Sequence, residues 1–117
     1  MVDRRLKLLL DAVNAIDLAA ALMRGQTLVT YKLDPSRRSA VERKLEILGE
    51  ACAGLGKEEP LIFGRFPATR LAVMLRHRIA HGYDNIYDEI VFATVEIDLP
   101  VLRATLWAWL QQLDPLA

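Results

Sequence analysis

The sequence predicts an all-α fold, an antiparallel bundle of four to five helices, and three observations lead there. Residues 3 to 24 are dense in leucine and alanine and hold neither glycine nor proline, the composition of an uninterrupted helix. Val41, Leu45, Leu48, Cys52 and Leu55 recur at spacings of 4, 3, 4 and 3, the period of one helical face. Only Gln26 to Leu33 alternates, weakly, in the manner of a strand, and a lone strand leaves its backbone groups without partners.

The first helix is expected to stop at Arg24-Gly25, a cation followed by a glycine, which suits a helix C-terminus. Its apolar residues form two stripes, Leu6, Leu9, Leu10, Val13, Ile16 and Ala20 on one side and Leu8, Ala12, Ala15, Ala19 and Leu22 on another. A helix apolar on most sides is expected to be buried on most sides. Residues 26 to 33 read as a connector with room for a turn of helix.

Asp34-Pro35 opens the second helix, with aspartate as the N-cap and proline at the first helical position. Gly56 is expected to end it. Glu42, Glu46 and Glu50 follow one another at i, i+4 along a polar face of this helix, a solvated face on the simplest reading. Residues 57 to 66, with Pro60 and Gly64, read as a loop. A third helix is expected from near Pro67 through Leu71, Val73, Met74, Leu75, Ile79 and Ala80 to a stop at Gly82. The last helical stretch runs from Tyr87 to Leu113, with a kink or break at Pro100 and Asp98 placed to cap a restarted helix. Trp107 and Trp109 are two apart and cannot share a face, so one is expected to pack and the other to meet a partner. No repeat or low-complexity stretch divides residues 1–117, which read as a single domain.

Composition narrows the function. A hydrophobic fraction of 53% in 117 residues argues against disorder. Small domains bury a smaller share of their surface, so self-association is expected. Fifteen basic and fifteen acidic residues balance, which excludes a general nucleic-acid coat but leaves room for a local basic site. One cysteine, Cys52, cannot form an internal disulfide and suits a reducing compartment. Arg4 and Arg5 precede Leu8-Leu9-Leu10, but Asp11 and Asp17 break that run as a secretory leader. The uninterrupted apolar run Leu18 to Met23 is far shorter than the ~18 residues of a membrane span. The expected location is the cytoplasm. No cofactor is expected, since the sequence holds neither a phosphate-cradling glycine loop nor a third ligand to join the two histidines around a metal.

Chemistry concentrates in Arg76-His77-Arg78-Ile79-Ala80-His81-Gly82-Tyr83. Four arginines, Arg65, Arg70, Arg76 and Arg78, and both histidines of the chain fall between residues 65 and 81, while Asp84, Asp88, Glu89, Glu96 and Asp98 follow. The positive stretch therefore coincides with the only side chains that ordinarily titrate near neutrality. On a helix, His77 and His81 share a face. Arg76 and His81 lie ~140° apart on a straight helix, so one helix does not force them together, whereas two copies meeting across a two-fold axis can. Each residue also has a plainer reading: His81 as a helix-end cap, Arg76 as the partner of Glu46 or Glu50, Tyr83 as a packing aromatic, and His77 as a bystander.

The pattern Arg76-His77-x-x-x-His81-x-Tyr83 resembles the signature of the HEPN superfamily (higher eukaryotes and prokaryotes nucleotide-binding), and Tyr83 narrows the likeness to the HepT-like toxins. Leu45-Glu46-Ile47-Leu48-Gly49-Glu50-Ala51 looks like that family's second-helix motif. Asp88-Glu89-Ile90-Val91-Phe92, followed by Asp98-Leu99-Pro100, looks like its segment after the active site. The likeness spans nearly the whole chain. It departs at His77, where these toxins most often carry asparagine. The resemblance implies a dimeric helical bundle with a shared RNA cleft and metal-independent ribonuclease activity of a type VII-like toxin–antitoxin system. His81 would be the general base, Arg76 would stabilise phosphate charge, and His77 would support them by positioning the phosphate or protonating the leaving oxygen. It further implies a minimal nucleotidyltransferase antitoxin that transfers AMP onto Tyr83, with a homodimer or a larger hetero-oligomer as the assembly. The competing readings are a non-catalytic nucleotide-binding or nucleotidyltransferase-docking module, and a purely structural helical dimer.

Overall fold

A computed structural model describes residues 3–64, 72, 73, 75, 76 and 88–116. Every regular element among them is helical, and no strand occurs among the described residues. Helix α1 spans Arg4–Met23. Asp3 caps it, its carboxylate accepting from the Arg5 backbone N–H at 2.9 Å. Gly25 follows the last turn with φ +75°, the left-handed geometry that only glycine adopts without cost and that ends a helix.

The connector folds as a short helix, α2, Leu28–Lys32. Thr27 and Thr30 form a reciprocal cap, each hydroxyl accepting from the other's backbone N–H at 3.2 and 2.9 Å. That local bonding, together with the burial of Tyr31, outweighs the strand-like alternation of the segment.

Helix α3 spans Pro35–Glu58. Asp34 caps it as expected, accepting from the Arg37 N–H at 3.0 Å. Gly56 does not end it. The stop comes at Glu59, extended at φ −139° and ψ 73°, because the proline that follows excludes its predecessor from helical geometry. Pro60 then starts one more turn, α4, Pro60–Phe63, where a loop had been expected.

The C-terminal helical stretch opens with α5, Asp88–Ala93. It widens into a π segment, Thr94–Asp98, and continues as α6, Leu99–Leu113. Leu99 donates its N–H five residues back to the Thr94 carbonyl. This wide turn lies immediately before Pro100 and accommodates a residue that brings a bulky ring and no N–H. The helix therefore passes through Pro100 without a break, and Asp98 stays helical with no side-chain cap, contrary to its expected capping role.

Arg4 pairs with Glu58 at 3.0 Å and Arg5 with Glu59 at 2.6 Å, while Arg37 near the start of α3 donates to the Leu22 carbonyl at the end of α1. Helices α1 and α3 therefore run antiparallel. Helix α6 lies along α1, with Arg103 bonded to Asp17 at 2.6 Å. The core gathers Leu9, Val13 and Ile16 of α1, Val41, Leu45, Leu48, Cys52 and Leu55 of α3, and Leu102, Leu106 and Leu110 of α6. The predicted α3 stripe is thus core throughout. Helix α1 is buried on one broad side only: Leu10 and Ala20 of its first expected stripe are exposed. Trp109 is buried and Trp107 is exposed. No helix among the described residues is long and apolar enough to cross a membrane.

Candidate functional site

Of the predicted site residues, Arg76 is described and helical. His77, His81 and Tyr83 lie outside the described residues, as does most of the expected third helix. Residues 72, 73, 75 and 76 are each helical, and Ala72 and Leu75 are buried.

The turn that carries Arg76 rests on α3 at Gly49. A Cβ built on Gly49 would fall 2.0 Å from Arg76 Cβ, 2.7 Å from Arg76 Cγ and 2.9 Å from the Ala72 carbonyl oxygen. Real non-bonded carbons do not approach so closely, so the contact requires glycine. One residue on, Glu50 Oε1 stands 3.9 Å from Arg76 Nη2. This exceeds a hydrogen bond, so the pair interacts through charge. Their side chains are 36% and 56% exposed for Arg76 and Glu50, so part of each side chain is open to solvent. Arg76 Nε is buried, with no hydrogen-bond partner among the described residues.

A second polar group lies where the described chain resumes. Arg38 of α3 bonds Asp88, the first residue of α5, at 3.3 Å, and the Asp88 side chain is only 17% exposed. Lys32 of α2 pairs with Glu89. Glu42 is half-buried beside them. Burial raises its carboxyl above the ordinary range, Asp88 and Glu46 push the same way, and Arg38 opposes them. Tyr31 is fully buried, with its hydroxyl unpartnered among the described residues. Burial and the carboxylates of Glu42 and Asp88 hold that phenol well above its usual range. Its ring packs on Phe92 at 6.3 Å.

Arg38, Glu42, Glu46 and Glu50 are spaced four residues apart. Arg38 thus extends the face expected to be solvated by one turn, and this extended face meets Asp88 at Arg38 and Arg76 at Glu50. These two contacts bracket residues 77–87, the stretch that holds His77, His81 and Tyr83. Sequence reasoning missed the Arg38–Asp88 pair. The available signal was Arg38 standing one turn before Glu42 on the same face. It also passed over Gly49 as a structural element, because a glycine within a helix reads only as a cost in propensity. Cys52 lies in the core, where burial pushes its thiol up to about 12, and it takes no part in this region.

Residues 12–108 match the family model described as "Ribonuclease HepT-like". A protein of Thermococcus cleftensis named "Probable ribonuclease HepT" is 28% identical over 93 residues, which cover 80% of this chain and 84% of that relative. No solved structure matches.

Proposed function

The chain belongs to the HepT-like ribonuclease family, and on that premise we propose that it is a metal-independent endoribonuclease, the cytoplasmic toxin of a type VII-like toxin–antitoxin pair. One observation carries the reading: the family match extends from residue 12 to 108, a span that contains Arg76, His77, His81 and Tyr83. His81 removes the proton from a ribose 2′-hydroxyl, for which an ordinary imidazole pKa of ~6.5 is well suited near neutrality. The 2′-oxygen attacks phosphorus and the bond to the 5′-oxygen breaks, leaving a 2′,3′-cyclic phosphate and a 5′-hydroxyl. Arg76 stabilises the charge on the phosphate oxygens, where a planar, permanently charged fork fits best. His77 positions the phosphate or protonates the departing oxygen. The partial exposure of the Arg76 side chain supports this assignment.

Control is assigned to a minimal nucleotidyltransferase that transfers AMP from ATP to the Tyr83 hydroxyl and releases pyrophosphate. The added phosphate is an anion near Arg76 and would compete with RNA for that charge. Two chains combine to form the RNA cleft, a reading supported by the apolar side chains a single copy leaves exposed.

Cleavage of RNA by the purified protein, with His81→Ala as the comparison, tests the enzymatic reading. Loss of the base is expected to slow cleavage by roughly 10²–10⁴-fold. Wild-type protein that binds RNA or a nucleotide without cutting would favour the non-catalytic module. Intact mass after incubation with the nucleotidyltransferase and ATP tests the control. AMP addition is expected on wild type and absent in Tyr83→Phe, and equal addition to both would exclude Tyr83.

A further inference from the structure

We propose that Gly49 and Glu50 of α3 form the seat that positions Arg76 for catalysis. The inference rests on the ribonuclease reading above and adds a positioning residue, Glu50, that the reading does not contain.

Gly49 sets the distance. With Arg76 Cβ 2.0 Å and the Ala72 carbonyl oxygen 2.9 Å from where a side chain would begin, the turn carrying Arg76 lies against the α3 backbone itself. Buried Ala72 and Leu75 hold that turn from its other positions. The stem of Arg76 is thereby fixed, and its Nε is enclosed. What remains free to choose a direction is the end of the guanidinium.

Glu50 sets that direction. At 3.9 Å its carboxylate attracts Nη2 without hydrogen-bonding to it. The Nη donors therefore remain available to a phosphate, whereas a tight two-point pairing with Glu50 would have occupied them. An ion pair as exposed as this one contributes little to folding, so stability does not account for an acidic side chain here. A carboxylate beside a phosphate site also repels RNA. Glu50 thus weakens binding while improving alignment, and those two effects separate in the kinetics.

Steady-state cleavage of a short oligoribonucleotide by wild type, Glu50→Gln, Glu50→Ala and Glu50→Asp makes the test. The neutral variants are expected to lose kcat by up to about 10²-fold, the scale of a catalytic group displaced by about an ångström, with KM unchanged or lower. Glu50→Asp keeps the charge and is expected to recover most of kcat. Thermal midpoints of all four proteins should agree closely, which separates misalignment from misfolding. Wild-type kcat and KM in Glu50→Gln would overturn the inference while leaving the ribonuclease reading intact. So would a raised KM at unchanged kcat, which would make Glu50 a group that binds substrate. Absence of cleavage by the wild type would remove both.

Discussion

Glu42 shows how a charge pattern read as solvated acquires a consequence from its surroundings. Burial and the neighbouring Asp88 make its proton harder to lose in the folded chain than in the unfolded one. A carboxyl whose pKa rises on folding contributes stability fully at pH values below its unfolded value, and that contribution is lost as pH climbs through the folded value. The unfolded reference for glutamate is ~4.3, so the loss begins in mild acid and is complete on the neutral side of the raised value. Glutamine cannot ionise and escapes the loss. Glu42→Gln is therefore expected to gain thermal stability relative to wild type as pH rises from about 4 to neutrality. Paired melting curves at several pH values check this; a difference that stays constant or moves the other way would mean that Arg38 fully offsets the buried charge. None of this was visible in the spacing of Glu42, Glu46 and Glu50, which gives a shared face but not what covers it.

Helix ends were legible where a side chain or a glycine makes the end by itself. Asp34-Pro35 and Arg24-Gly25 act through their own backbone neighbours, so the sequence alone locates them. Gly56 misled because glycine ends a helix when its backbone turns left-handed, and here it remains within α3; the restriction that Pro60 places on Glu59 decides the boundary instead. The π segment escaped for a similar reason, since Pro100 announces a disturbance but not whether the helix breaks or widens. Gly49 is the sharpest case. In an open helix, replacing glycine by alanine stabilises by about 1 kcal/mol. Here the new methyl would meet the Cβ of Arg76 and a backbone oxygen, atoms that cannot swing aside, and overpacking of that kind costs about 1–3 kcal/mol. The second term outweighs the first. Gly49→Ala is expected to lower the midpoint of urea unfolding and, at temperatures where it remains folded, to cleave RNA more slowly than wild type. A variant as stable and as active as wild type would show that the two helices do not need this contact.

The fold class was the most legible property of the whole chain, because helical periodicity and the lack of a second strand-like segment are both features of one sequence. The assembly is less legible, and the packing of the single chain bears on it. A core of leucines from α1, α3 and α6 still leaves Leu10 of α1 51% exposed, Val101 64% and Trp107 37%. Arg103 lies over the Trp107 ring at 5.4 Å while bonding Asp17, so this tryptophan is held in place at the surface. Exposed apolar residues scattered singly are ordinary. Several along two adjacent helices, in a chain too small to cover them, favour a second copy as the cover, and a stable pair needs about 800 Å² from each partner. Light scattering at micromolar concentration is expected to give twice the mass of one chain, and cleavage activity per chain should fall on dilution if the RNA cleft is shared. A monomeric mass together with undiminished activity would mean that one chain builds the entire site, and Arg76 and His81 would then have to converge within it despite the ~140° between them on a straight helix.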